Sequence, residues 1–319
     1  MSTPIVSVCI VTFNHERYIH NCIMSVVAQS NDVNLEILVG DDQSEDRTSE
    51  IVQSLVREYP HLIRYYLHKE RLGCGSKNYQ TLIARSRGKF IAHLDGDDFW
   101  LPGKLLAQIR FLEEHTDCPA VYSNALAIQD NGEAIGLFNN PQPTFFDINE
   151  LLWRGNFLNN SSMCYRSSLQ NKILSMQAPL IDYRIHLQFA RCGAVGYLNQ
   201  AMVVYRSNST SSIIVHENDN VRNLYWEALL DVPIDSVNIR ALAQCMSEFV
   251  RSIFFRSIRV KRMSLLQQWL PVVFKAAPVG KTKMIFLILS AIVRVAFQEG
   301  LSMIYSKLSG NHLKILYRR

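Results

Sequence analysis

Three aspartates, Asp95, Asp97 and Asp98, fall within four positions of the stretch HLDGDDFW, His93–Trp100, directly after an apolar run. Carboxylates this close repel one another, and each is costly to bury unless something pairs with it. A turn can leave all three in water, or a cation can supply the counter-charge. Residues i and i+2 of an extended segment point the same way. Asp95 and Asp97 therefore share a face, and Asp98 points away. Gly96 between them lets a ligand or the backbone come close. Hard carboxylate oxygens suit Mg2+ or Mn2+, which keep waters and bind through one or two carboxylates plus the phosphates of a substrate. On that reading the loop is strained or mobile until metal and nucleotide arrive.

A lone Asp-x-Asp is more often a solvated turn, but a second acidic stretch exists. GDDQSEDRT, Gly40–Thr48, carries Asp41 and Asp42. Ser44 or Asp46 is accounted for as a helix cap; Asp41 and Asp42 are not.

The elements that must position these acids alternate between two periods. IVSVCIVTF, LEILVG, IRYYL, KFIAHL and AVYSN are short, largely apolar runs that read as buried strands. Helical patterns separate them, from about Glu16, from about Asp46, over NYQTLIARS, and from Pro102, suited to a first helical turn, to about Glu114. This βαβαβαβαβ order predicts a mostly parallel sheet with helices on both faces. Such sheets bind ligands beyond the carboxyl ends of their strands, where Asp41, Asp42, Asp95 and Asp97 lie. Beyond them a hairpin is expected with Asn131-Gly132 as a type I′ turn. NELLWRG reads as a helix, SSMCYR as a strand, DYRIHLQFARCG as a helix stopped by Gly193, and AMVVYR as a strand. From about Glu217 the pattern is helical.

Four segments, in order, resemble the family 2 glycosyltransferases: VSVCIVTFNHERYIHNCIMSVVAQ, EILVGDDQSEDRT, GCGSKNYQTLIARSRGKFIAHLDGDDFW and IDYRIHLQFARCGAVGYLNQAMVVYR. The resemblance covers roughly residues 4–207. It implies the α/β GT-A fold of nucleotide-diphospho-sugar transferases, here over residues 1–215, followed by a helical region over 216–319. It also implies a nucleotide-diphosphate sugar donor, with a UDP-sugar the first expectation, a divalent metal, Mg2+ or Mn2+, and transfer with inversion. By position, Thr12, Phe13 and Asn14 line the nucleotide pocket and Asp42 meets the base. Lys77 and Asn78 fall near the donor, Asp95 near ribose and metal, and Asp97 on the metal ligand. Asp182 falls on the catalytic base; without the resemblance it reads as an acid favoured by a helix N-terminus.

These parts are chemically sufficient. A metal neutralises the leaving diphosphate as a Lewis acid, and an acceptor hydroxyl needs a base to take its proton. Direct attack from the face opposite the leaving group needs only one such base, by analogy with inverting hydrolases. Two departures stand out. The family often has Glu before the base, where this chain has Ile181, and often has His soon after Tyr-Arg, where this chain has Asn208 and, farther on, His216. No Gln-x-x-Arg-Trp signature of processive synthases is present, so transfer of single sugars is expected. A sugar nucleotidyltransferase would need a Gly-rich basic loop that TFNHERY lacks. A non-catalytic nucleotide-sugar-binding protein is the other alternative.

Composition bounds the rest. With 319 residues, 48% hydrophobic and 19% charged, the chain can bury a sizeable core. Seven scattered cysteines without a CxxC pair argue against a disulfide framework or a zinc site and suit a reducing cytoplasm. No basic n-region of a signal peptide is visible at the N-terminus. From Arg251 onward there are thirteen Lys/Arg against one acid, Glu299, while the rest of the chain is net acidic. MIFLILSAIV, Met284–Val293, is apolar all round, yet far short of the ~20 residues a membrane span requires. Apolar helices with this basic excess suit the surface of an anionic membrane. The expectation is a cytoplasmic protein held peripherally at the inner face of the membrane, acting on a glycan or lipid-linked acceptor. A helical cap packed on the catalytic domain or a partner chain is the plainer alternative. No base-reading module appears, so nucleic acid is not an expected partner.

Overall fold

The computed structural model describes residues 4–207, 218–309 and 314–317. The chain opens β1 (Val6–Thr12), α1 (Ile19–Val27), β2 (Leu35–Asp41), α2 (Thr48–Glu58), β3 (Ile63–Leu67), α3 (Gly75–Ile83), β4 (Phe90–Asp95). β1 and β2 are buried at every position, as strands covered on both faces must be. β1 pairs in parallel with β2 and β4, and β2 with β3. Then follow β5 (Phe99–Trp100), α4 (Lys104–Glu114), β6 (Ala120–Ile128), β7 (Ala134–Asn139), β8 (Phe145–Phe146), α5 (Ile148–Arg154), β9 (Cys164–Arg166), α6 (Gln170–Leu174), α7 (Asp182–Ala190) and β10 (Val195–Arg206). The last elements are α8 (Asn218–Leu230), α9 (Ile239–Arg259), α10 (Ser264–Ala276), α11 (Lys281–Ser309) and β11 (Lys314–Tyr317).

The sheet runs β11-β7-β6-β9-β4-β1-β2-β3, with β10 beside β6. β9 lies antiparallel between β4 and β6, which are thus parallel to each other. The two faces of the sheet differ. Val8, Ile10, Ala92, Leu94, Val121 and Cys164 share an apolar cluster with residues of α1, α2 and α4. Side chains alternate along each strand, so Cys9, His93, Tyr165 and Tyr122 turn to the opposite face. There α3 and α7 supply Tyr79, His186 and Phe189, all buried. That second layer is far more polar than the first.

Contacts divide the described residues into two units, one drawn from 1–147, 157–224 and 313–319, the other from 148–156 and 225–312. In the second, α9 packs on α5, α10 and α11. Trp226, Phe249 and Trp269 form its aromatic centre, with Phe249 at 5.2 and 5.0 Å from the two indoles. The segment Met284–Val293 has two faces. Met284, Ile288 and Ala291 are buried, while Ile285, Phe286, Leu289 and Val293 are exposed, Phe286 by 70%. Among the described residues no helix is long and apolar enough to cross a membrane.

Three local expectations change. Pro102 lies ahead of α4, which starts after Gly103 in the left-handed region. The β6–β7 turn is not type I′, because only Gly132, not Asn131, has positive φ. Gln129 and Glu133 close a three-residue loop through Gln129 N–H to the Glu133 carbonyl at 2.8 Å, and a glycine in αL at the last loop position suits that length. α7 ends at Ala190, ahead of Gly193, which is small for a packing reason: a Cβ there would sit 2.8 Å from the Asp117 carbonyl oxygen.

Candidate active site

The carboxyl ends of β1, β2 and β4 are tied together by backbone bonds. Asp42 N–H donates to the Thr12 carbonyl at 3.0 Å and Gly96 N–H to the Val11 carbonyl at 2.9 Å. Gly96 must be glycine here, since a Cβ would meet His15 Nδ1 at 2.6 Å and Thr12 Oγ1 at 3.0 Å. Thr12 is buried, with Oγ1 3.1 Å from His15 Nδ1. Asn14 takes positive φ, a conformation Asn tolerates better than most residues. It donates its N–H to Ser44 Oγ (2.9 Å) and accepts from Glu45 N–H (2.8 Å), locking the two loops of the crevice. Asp46 takes the cap role, accepting from the Thr48 amide at the start of α2 (2.9 Å).

The two acids at the end of β2 have different duties. Asp41 Oδ1 accepts from Ser44 N–H and Oγ–H (2.8 and 2.7 Å), and Oδ2 from the Tyr65 hydroxyl (2.7 Å). Asp42 accepts from the amides of Leu72 (2.5 Å) and Gly73 (2.9 Å), one on each oxygen. Asp42 thus holds the 68–74 loop against the crevice. That loop also sets the Arg71 guanidinium 4.1 Å from the centre of the Phe13 ring. Arg71 was not singled out in the sequence. Its only signal there is position, since pairing it with Phe13 requires knowing that Asp42 draws the loop back.

The acidic loop after β4 separates its three carboxyls. Asp95 is half-buried; His93 Nε2 lies 3.1 Å from its Oδ1, and Ser161 Oγ 3.3 Å from its Oδ2. Burial pushes Asp95 up, but His93, His15 and Ser161 outweigh it and hold the carboxyl below its ordinary value, so Asp95 is ionised. Asp97 is half-buried, and its carboxylate makes no hydrogen bond among the described residues. Asp98 is buried, with Ser161 Oγ 2.6 Å from Oδ2 and Arg206 N–H donating to Oδ1 at 2.8 Å. Burial first, then Asp97 and Asp95, push its carboxyl well above the usual range. Arg206 also donates from Nε to the Asp97 carbonyl at 3.2 Å. The loop is unstrained: none of its residues has positive φ, and Asp98 N–H closes the turn onto the Asp95 carbonyl at 3.0 Å. The expected strain is absent because Ser161 and Arg206, both distant in sequence, hold the loop.

Of the remaining expected residues, Lys77 is exposed on α3. Asn78 is buried and engaged at both ends of its amide: Nδ2 donates to the Gly40 carbonyl (2.7 Å) and Oδ1 pairs with His68 Nε2 (2.9 Å). It fastens α3 beneath the end of β2 rather than facing a ligand. Asp182 begins α7 and accepts its neighbour Tyr183 N–H at 2.7 Å, the first-turn position expected of an acid at a helix N-terminus. Asn208 and His216 lie outside the described residues. The structure therefore brings Thr12, Phe13, Asn14, Asp42 and Asp95 to one end of the parallel strands.

A cation fits this end of the sheet only with help. Among the described residues no three His, Cys, Asp or Glu side chains gather as a metal site. The unengaged Asp97 and the ionised Asp95 would hold Mg2+ or Mn2+ together with a donor's diphosphate, a sharing those ions accept.

Known proteins resemble this chain in family and fold. The model of glycosyl transferase family 2 matches residues 7–174, more than half of the chain. The chain belongs to glycosyltransferase family 2. A Mycobacterium tuberculosis protein is 27% identical over 225 residues, covering 69% of this chain and 63% of its own length. A Methanocaldococcus jannaschii glycosyltransferase is 29% identical over 199 residues, 62% of this chain and 67% of its own. Among solved structures, S. aureus TarS 1–349 in complex with UDP-GlcNAc superposes with TM-score 0.63 at 17% identity, covering 92% of both chains. The mannosyltransferase PcManGT from Pyrobaculum calidifontis, in complex with GDP-Man and Mn2+, gives 0.51 at 14%, covering 98% and 77%. The likenesses establish the GT-A fold.

Proposed function

We propose that this glycosyltransferase is metal-dependent and inverting, and moves one hexosyl or hexosaminyl unit from a nucleotide-diphosphate sugar, a UDP-sugar in the first instance, to a hydroxyl of a glycan or lipid-linked acceptor in cell-surface glycan synthesis. Its place is the cytoplasm, peripherally at the inner face of the membrane, with the basic C-terminal helices as the contact. The observation that carries the reading is the Asp97 carboxylate: half-buried, beyond the parallel strands, beside ionised Asp95, and engaged by no described residue. A bound Mg2+ or Mn2+ would offset the charge on the departing diphosphate. Asp97 and Asp95 bind that ion, Thr12, Phe13 and Asn14 line the nucleotide side, Asp42 stands at the base, and Lys77 reaches the donor from α3. Asp182 takes the proton of the acceptor hydroxyl. That TarS and PcManGT were solved with UDP-GlcNAc and with GDP-Man and Mn2+ supports a donor of this class.

The test is a panel of UDP- and GDP-sugars with Mn2+ or Mg2+, read as donor hydrolysis or transfer. D97A and D182A should each lose turnover by about 100-fold or more while their Tm is retained. Wild-type turnover in both variants would sink the mechanism. Nucleotide-sugar binding with no turnover in the wild type would make the chain a binding protein instead.

A further inference from the structure

The polar layer between the sheet and helices α3 and α7 contains atoms the fold leaves without partners. His186 is fully buried, and both Nδ1 and Nε2 lack a hydrogen-bond partner among the described residues. The same holds for His93 Nδ1 and the Tyr122 hydroxyl. A neutral imidazole carries one donor and one acceptor, and a buried polar group left unmatched costs about 1–3 kcal/mol. Four such atoms on one face of one sheet are expensive for a layer that Leu or Phe could fill.

Their positions are not random with respect to the candidate site. His93 lies two residues before Asp95 on β4, on the same strand face, with Nε2 3.1 Å from Asp95 Oδ1. His186 lies four residues after Asp182 on α7, one turn below it on the same helix face. Each candidate carboxylate is thus backed by a buried imidazole one structural repeat deeper. Tyr122 joins them: its ring meets His186 edge-on at 5.0 Å between centres. Tyr79 meets His93 edge-on at 4.6 Å, fixing that ring from the α3 side. Burial, and then nearby His93, bring His186 down to about 3, so it remains neutral. After burial, Asp182 is the next influence raising the Tyr122 hydroxyl, which puts that carboxylate near the same group.

We propose that His93, His186 and Tyr122 enclose an internal water site beneath the two carboxylates, and that through it they act as positioning residues. A buried water needs two to four polar partners, and these side chains supply donors and acceptors from a strand of the core, a second strand and α7. Water on His93 Nδ1 leaves the Nε2 proton for Asp95 and sets the orientation of that carboxylate. The same water ties α7, which carries Asp182, to β4, which carries Asp95. The positioning role rests on the metal and base assignments made above; the water site does not.

The experiment uses the full chain and H186L, with H186N as the conservative variant and D97N as the control for the metal. Mn2+ affinity is measured by EPR titration with UDP present, and Tm is measured without ligand. H186L should keep or raise Tm while weakening Mn2+ binding about tenfold or more, as loss of a group behind a metal ligand does, and H186N should recover most of the affinity. Wild-type Mn2+ affinity in H186L, or a weakening that H186N does not recover, would overturn the positioning role. Wild-type Mn2+ affinity in D97N would show that the metal assignment has failed. The water site then stands or falls on a high-resolution crystal structure: an ordered water bridging His93 Nδ1 to His186 or Tyr122 supports it, and a dry contact overturns it.

Discussion

Burial beside Asp97 and Asp95 favours the protonated form of Asp98 in the acidic loop. Ser161 Oγ accepts from Asp95 N–H (3.1 Å) and lies 2.6 Å from Asp98 Oδ2 and 3.3 Å from Asp95 Oδ2. A hydroxyl has one donor and two acceptor sites. With Asp98 protonated on Oδ2, it donates to Ser161, and Ser161 donates on to ionised Asp95, so every site is used. The folded value of Asp98 lies above the unfolded value of about 3.9. Folding therefore takes up a proton at any pH between the two, and stability falls as pH rises through that window. D98N removes the titration and can keep both hydrogen bonds. In urea unfolding, the stability of D98N relative to wild type should improve from pH 5 to pH 8; a flat difference would mean that Asp98 is ionised in the fold. The sequence separates Asp98 from Asp95 and Asp97 by strand alternation. It does not reveal Ser161, because that residue sits more than sixty positions away in a turn with no motif of its own.

At the scale of elements, the seam between β2 and α3 decides how the crevice is built. Gly40 is in the buried interior of β2, and a Cβ there would lie 2.1 Å from Asn78 Oδ1 and 3.1 Å from Leu82. The glycine lets Asn78 reach its carbonyl. G40A should push α3 away and lower stability by roughly 1–3 kcal/mol in chemical denaturation; an unchanged midpoint would mean that α3 yields freely. The alternation of strand and helix was legible because β1, β2 and β4 are short, largely apolar runs set between amphipathic helices. The two-residue strands β5 and β8 and the β6–β7 loop were not. Segments so short carry no periodicity, and their conformation follows from the partner they meet.

In the second unit, α11 sets Ile285, Phe286, Leu289 and Val293 in solvent along one side, while Lys283 is exposed on another. Such a face suits the interface of an anionic bilayer. The protein should co-sediment with vesicles rich in anionic lipid and be released by salt. The F286S/L289S/V293S variant should lose binding by at least about tenfold, given what burial of side chains this size contributes. Retained binding would move the contact to other residues. Composition and period were enough to specify the α/β class and to place the acidic motifs at the strand ends, since burial on both faces of a sheet forces apolar runs that break where the strands end. That the Asp97 carboxylate has no hydrogen bond among the described residues, that burial raises Asp98, and that both Asp42 oxygens accept loop amides are visible only in three dimensions. Those roles depend on Ser161, Arg206, Tyr65 and the Leu72–Gly73 amides, partners that only folding brings within hydrogen-bond reach.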